Sequence, residues 1–326
     1  MPGGASRRQA ISIGMALALA AALLYYSVRG IAWRQVWTIA AHASVPLLSI
    51  CAALGTLTLF LRAVRWRILL NAEGSVGVPA AFWATAAGLF GNNFLPARGG
   101  ELLRTFMIST ASALGTAYVL ATAVSERIAD AMVLVIVSAL VLLTLDSPPG
   151  WLAHAARPFA IAGLLGVLVI MILPLLGSAG QAAIARAPLP HAVRPRVSAM
   201  LEGALRGLRA FHDARRLGGF FALTTLIWLF DALGAVVGGA ALGFRIPLSV
   251  AFLLMAGLGV ASALPSTPGY VGIYQFVAVT MLTPFGFSRT DAIAYIVVAQ
   301  ALFYIVIGFW GSIALWQYRR ARASVT

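Results

Sequence analysis

Apolar residues in this chain neither alternate, as in a half-buried strand, nor recur on one helical face; they come in long unbroken runs. The runs near residues 10–28, 44–61, 128–145, 158–177, 217–240 and 291–316 are each long enough, as helix, to cross about 30 Å of hydrocarbon. Two regions break this rule. Residues 76–124 and 248–284 each contain two shorter apolar pieces joined at a break rich in proline and glycine. The pattern predicts an all-α polytopic membrane protein with about six full spans and two interrupted regions.

Arginine placement orients the spans. Arg7 and Arg8, then Arg62, Arg65 and Arg67, then the seven arginines from Arg186 to Arg216, then Arg319, Arg320 and Arg322 are expected on the cytoplasmic side, with both termini. Connections near 146–157 and around Arg245 carry less arginine and are expected to face outward. Six spans satisfy this only if each interrupted region returns to the side it entered, as a re-entrant helical hairpin near 76–124 and 248–284. The two breaks echo each other, as Leu95-Pro96-Ala97-Arg98-Gly99-Gly100 and Leu264-Pro265-Ser266-Thr267-Pro268-Gly269. Entered from opposite sides, they make residues 44–145 and 217–316 an inverted repeat, whose discontinuous helices meet near the bilayer midplane. The alternative is that all four pieces cross, giving eight to ten full spans with proline kinks.

A single integral membrane domain over 1–326 is expected. The first run resembles a signal peptide and is read as an uncleaved span. The basic segment 181–216, with Leu201, Leu205 and Leu208 at helical spacing, reads as an amphipathic helix on the cytoplasmic membrane surface.

Composition narrows the chemistry. The 326 residues are 61% hydrophobic and 10% charged, with mean hydropathy +0.94; a soluble domain carries about 25% charged residues. The sequence contains no lysine, which excludes a Walker A lysine and a Schiff-base lysine. The net charge of +14 comes from arginines beside apolar runs, a placement for anionic lipid headgroups rather than nucleic acid. Cys51 is the lone cysteine, and His42, His154, His191 and His212 are scattered without ligand spacing, so neither metal nor other cofactor is expected.

A charge at the bilayer centre costs roughly 2.5–3.5 kcal/mol on insertion scales, so charges within apolar sequence need a reason. Arg98, Glu101 and Arg104 share one face if Gly99 and Gly100 open a helix, leaving a net positive charge beside free backbone N–H groups, an arrangement suited to an anion. Asn92 and Asn93 add side-chain donors. The competing reading is a solvated cytoplasmic turn. In Ser125-Glu126-Arg127-Ile128-Ala129-Asp130, at the mouth of a span, Arg127 can pair with Asp130, and pairing of Asp130 with Arg98 or Arg104 would close a polar core; an interfacial anchor is the alternative. Arg62, Arg65 and Arg67 beside Trp66 suit topology and headgroup anchoring, or lipid capture. Asp231 stands alone in an apolar run, as a coupling site or a packing hydrogen bonder.

Four stretches resemble the lysylphosphatidylglycerol synthase transmembrane region, or flippase-like domain, family: RAVRWRILL at 62–70, NNFLPARGGELLR at 92–104, SERIADAMVL at 125–134 and PSTPGYVGIYQ at 265–275. The family includes inner-membrane and hopanoid-associated members. The resemblance implies a bacterial inner-membrane protein that moves, or helps to process, a polar-headed lipid, and it adds Pro265, Pro268, Gly269, Gly272 and Gln275 to the expected lipid-binding residues. In two-part relatives this region is joined to a soluble aminoacyl-transferring domain, which is expected to be absent here. The family pattern PGGxGxxE reads Pro268-Gly269-Tyr270-Val271-Gly272-Ile273-Tyr274-Gln275 in this chain, with a neutral amide in place of the acid.

A lipid flippase of the cytoplasmic membrane is therefore the leading expectation, its phospho-, aminoacyl-, glyco- or hopanoid-type lipid held in a central polar cavity. A membrane transferase acting on lipid, and a non-transporting partner in a lipid-biosynthesis complex, are the alternatives. Expected partners are anionic membrane lipids, with lipid-biosynthesis enzymes and a homo-oligomer left open.

Overall fold

Proline and glycine set most of the helix starts. The computed structural model describes residues 21–95, 99–145, 194–263 and 268–323, together with 18, 150–152 and isolated positions between 154 and 186. Helix α1 is Trp33–Ala41. Pro46 sits in the first turn of α2 (Val45–Leu70), and Pro79 in that of α3 (Val78–Phe94), where the missing N–H has no helical partner to lose. α4 (Gly100–Ala111) and α5 (Thr116–Thr144) start behind Gly99 and Gly115. α6 is Arg194–Arg209. α7 (Ala214–Ala241) is capped by Asp213, whose carboxylate accepts from the Arg216 N–H at 2.8 Å. α8 (Leu248–Ala263), α9 (Ile273–Leu282) and α10 (Arg289–Ala323) complete an all-helical fold, with no strand among the described residues.

Helices α2, α5, α7 and α10 contain stretches long and apolar enough to cross a membrane. They coincide with four of the six expected spans; those near 10–28 and 158–177 fall largely outside the described residues. Two starts and stops differ from expectation. α2 continues past residue 61 to Leu70, and α5 begins at Thr116 rather than 128. Arg62 and Arg65, and likewise Glu126 and Asp130, are thus inside long helices and not at their ends, while Arg67 stands in the last turn of α2.

The elements run long, short, short, long in 45–144 and again in 214–323. In the first set α3 and α4 pack as an antiparallel pair, and in the second α8 and α9 do so. α2 and α7 pack lengthwise, α3 lies on α10, and α8 lies on α5. The Pro268–Tyr270 turn at the tip of the second pair reaches α3, where Phe94 meets Tyr304 at 5.8 Å.

Each tip is built by glycine. In the first, Gly88, Gly91 and Gly100 let α3 and α4 touch backbone to backbone. In the second, Gly269 (φ 71°), Tyr270 (φ 60°) and Gly272 (φ 92°) are left-handed within four residues, a turn that L side chains resist.

α6 differs from a helix lying free on lipid. Leu205 is buried, and Gly203 and Gly207 bring α6 against Ala117 and Ala121 of α5, so the apolar face is turned to protein. The Leu208 side chain lies outside what is described.

A methyl group on Gly100 would fall on the Gly88 carbonyl oxygen and against Asn92. Gly100→Ala is expected to destabilise the protein by about 1–3 kcal/mol through overpacking. Gly234→Ala, where a Cβ meets nothing within 4 Å, should leave the thermal midpoint in detergent unchanged or slightly raised. Equal melting of the two variants would contradict the close helix contact.

Candidate functional site

Insertion cost predicts that an ionised side chain inside an apolar helix will seek its opposite. Here the search ends in an alternating file: Asp231, Arg62, Asp130, Arg65, Glu126, Arg104, Glu101, Arg127. Helices α2, α4, α5 and α7 supply the eight charges, and α3 closes over them with Gly88 and Asn92.

Arg65 is the centre. Its guanidinium meets Asp130 through two bonds, Nη1 to Oδ1 at 2.5 Å and Nη2 to Oδ2 at 3.0 Å, a fork that matches carboxylate geometry. Its Nε donates to Glu126 Oε1 at 3.2 Å, Nη1 also donates to Thr224 at 3.1 Å, and Phe220 lies under its face at 5.0 Å. The residue is only 2% exposed. Glu126 turns its other oxygen to Arg104 Nη1 at 2.9 Å. Arg104 stacks on Trp66 at 4.5 Å and donates through Nε to Glu101 Oε2 at 2.6 Å.

The file is driest at its middle and most exposed at one end. Arg65 and Glu126 are buried, whereas the Glu101 and Arg127 side chains are 28% and 49% exposed. Arg127 reaches Glu101 Oε1 at 2.6 Å, and Asn92 donates to the same oxygen at 3.2 Å. The opposite end is Arg62 to Asp231 at 2.6 Å, with Arg62 near the Trp228 ring and the Trp228 N–H on Asp130 at 3.3 Å. Asn92 Oδ1 and Asn93 Oδ1 are buried without a hydrogen-bond partner among the described residues. The space left among these side chains is about 20 Å³, room for one water.

Several expectations are corrected. Among the described residues the file is neutral, four arginines meeting four carboxylates; Arg98, which the expected net positive charge included, lies outside them. Asp130 is neutralised by Arg65 and not by Arg104, and Arg127 pairs with Glu101 rather than with Asp130. Arg65 is not an interfacial anchor, because α2 carries it into the protein. Arg67 donates to the Val76 carbonyl oxygen at 2.7 Å, holding the turn before α3. Asp231 is not a lone carboxylate; Arg62 is its partner from 169 positions away. The sequence signal for that pair was present: an isolated acid in an apolar run implies a counter-ion, and Arg62 and Arg65 are three apart on one face. Thr224, Trp228 and Thr122, which satisfy the file's remaining donors and aromatic neighbours, carry no such signal.

Gly99 and Gly100 open α4, with Glu101 in its first turn. Arg98 and Pro265 lie outside the described residues. The second break forms a separate, uncharged network. Gln275 Oε1 accepts from the Gly272 N–H at 2.7 Å and Gln275 Nε2 donates to Gln300 at 2.8 Å. Gln300 Nε2 and the Tyr304 hydroxyl both donate to the Gly269 carbonyl oxygen. Pro268 starts the turn that presents this carbonyl. None of these residues lines the space within the charged file.

The sequence model of the family described as the lysylphosphatidylglycerol synthase TM region matches residues 12–311. Neither the curated proteins nor the solved structures contain a match. The chain belongs to this family, and is a multi-pass membrane protein of lipid handling.

Position along the file decides the effect of breaking it. Arg65→Met leaves Asp130 and Glu126 without their buried partner and is expected to cost about 3–5 kcal/mol. Arg127→Ala, at the half-exposed end, should cost no more than about 1 kcal/mol. Thermal unfolding of the two purified variants in one detergent checks the order; a larger loss for Arg127→Ala would refute it.

Proposed function

Proceeding from that membership, we propose that the protein translocates a polar-headed lipid across the cytoplasmic membrane, taking the headgroup at the Glu101–Arg127 end of the file. One observation carries this reading: ionised groups are concentrated in the body of a membrane protein, and the file passes from a dry pair that uses both carboxylate oxygens of Asp130 to an accessible one in which Arg127 meets only one oxygen of Glu101. An exposed end can exchange partners, because water screens the loss while the exchange takes place.

A headgroup phosphate arriving there would take bonds from Arg127 and Arg104, each now held by Glu101. The Asn92 side-chain N–H, now on Glu101, would turn to the phosphate, and the Asn92 and Asn93 Oδ1 atoms, without a partner among the described residues, would accept from hydroxyl or ammonium groups of the headgroup. Since the present space holds about one water, entry requires that Glu101 give way. Arg65 and Asp130 would remain fixed as the wall against which the exchange happens. Asp231, at the far end on α7, would be a coupling site if transport follows an ion gradient.

The two long–short–short–long sets support an inverted repeat. At 1.5 Å per residue, the 12 residues of α4 and 10 of α9 rise about 18 and 15 Å, short of a hydrocarbon core of about 30 Å. This favours re-entrant hairpins over full crossings, and the matched packing of α3 on α10 and α8 on α5 favours a two-fold relation. Rocking of one set against the other would expose the Glu101–Arg127 end to each leaflet in turn. In this reading both termini and the α6 segment are cytoplasmic, and lipid-making enzymes supply the substrate.

The test is reconstitution into vesicles with a headgroup-labelled phospholipid, reading movement by chemical quenching of the outer leaflet. Wild type is expected to move lipid, and Glu101→Gln with Arg127→Gln to lose at least about tenfold in rate, the equivalent of about 1.4 kcal/mol in the barrier, with folding retained. Equal rates in wild type and variant would sink the headgroup site. Formation of a new lipid from a labelled donor would instead favour a transferase.

A further inference from the structure

Beyond the charged file, α5 borders a second space of different character. A cavity of about 410 Å³ lies between α5, α8 and α9, more than ten times the roughly 30 Å³ a water occupies. Its walls are aliphatic and aromatic apart from Ser138, Thr280 and the Trp151 indole, and the Ser138 hydroxyl is already donated to the Leu134 carbonyl oxygen at 2.6 Å. Water would find almost no partners there. Trp151 and Val260 at its edge are 46% and 47% exposed, so the cavity opens sideways.

The two spaces share one stripe of α5. Glu126 and Asp130 belong to the charged file; Leu134, Ser138 and Leu142, continuing at four-residue spacing, line the apolar cavity, and all five are buried. From Arg127, at the exchanging end, to Leu142 the helix rises about 22 Å, close to half of a bilayer of about 40–45 Å with its headgroups. A polar end followed by an apolar track of leaflet depth has the dimensions of one lipid.

We propose that this cavity holds an acyl chain of the lipid whose headgroup exchanges at the charged file. The inference rests on the headgroup reading for its ligand and on the cavity for its site. At Gly257 α8 and α9 close on one another, since a Cβ there would press on Val277 and Met281, and the two helices so wall the cavity together. Chain burial gives the protein a hold on its substrate that does not depend on headgroup charge, and it aligns the lipid along α5 before any ion pair opens.

The experiment uses the full chain in vesicles of phosphatidylethanolamine and phosphatidylglycerol, the latter with a photoactivatable diazirine near the end of one acyl chain. After illumination, adducts are mapped by mass spectrometry. Enrichment on Ser138 to Leu142, Ala256 to Val260 and Phe276 to Thr280 is expected. Ala256→Phe, which fills the cavity, should lower that yield about tenfold, as expected from excluding about two methylenes at about 0.8 kcal/mol each.

Adducts spread evenly over outward residues such as Leu140 and Ile305, or a cavity occupied by the chain's own residues 158–177 and free of adducts, would overturn the proposal. The wild-type map decides this without any variant. The two readings fail separately: cavity adducts with unchanged transport in Glu101→Gln/Arg127→Gln would remove the headgroup site alone. Adducts from a headgroup-placed diazirine at Glu101 and Arg127, with none in the cavity, would remove the acyl site alone.

Discussion

A charge within a bilayer is stable only when its opposite reaches it in good geometry, and the first half of this fold is arranged around that requirement. The bidentate Arg65–Asp130 pair ties α2 to α5, and Thr224 on α7 takes a further Arg65 hydrogen. Arg104 then fixes α4 to α5 through Glu126, and Gly88 lets α3 lie directly on the Arg104 stem. Each contact makes sense only if the others are present, because removing one member leaves its neighbour charged and dry. The interdependence also explains why α2 and α5 are longer than their apolar runs. Once the charges are paired, the polypeptide can stay helical through RAVRWR and SERIAD, and every backbone group remains bonded.

The second half solves the same packing problem without charge. Gln275, Gln300 and Tyr304 converge on the Gly269 carbonyl oxygen, which the left-handed turn of 269–272 exposes. Amides and a phenol satisfy one another at a lower desolvation penalty than ions do. The cost is borne differently in the two tips: the first holds its hairpin by electrostatics that a ligand can contest, the second by hydrogen bonds that a charged headgroup has little power to displace. The tips still meet, through α3 and the Pro268–Tyr270 turn, so motion in the first is felt by the second.

Four of the expected spans were legible in the sequence because hydrophobicity is local; so was the opening of α4 at Gly99-Gly100, where composition and backbone freedom agree. The partners of the charges were not. Arg62 and Asp231 are separated by 169 positions, and nothing in either neighbourhood names the other, although each announces that a partner exists. The error about Arg65 has a single physical source. Arginine at the end of an apolar run is ordinarily a boundary marker, and that rule fails when a neighbouring helix brings two carboxylates to the same depth. The apolar cavity was invisible for the converse reason: Leu134, Ser138, Val260 and Thr280 read as ordinary membrane-helix residues, and a void arises only from how three helices diverge.

Neutrality of the file limits how it can work. With four charges of each sign in alternation, its long-range field is small, so it would not draw an anion from a distance as a bare arginine cluster would. Recognition must then be by exchange at contact, and an exchange can begin only at a member with water on one side. Arg127 and Glu101 qualify; Arg65 and Glu126 do not. If a ligand displaced Glu101 from Arg104, the next link inward, Arg104–Glu126, would still be closed over by Trp66 and α3, and the opening would stop there. In the proposed reading, the fall in exposure from Glu101 and Arg127 to Arg65 and Glu126 separates the members that exchange from those that stay, while Arg62 and Asp231, 19% and 21% exposed, form a second partly accessible end.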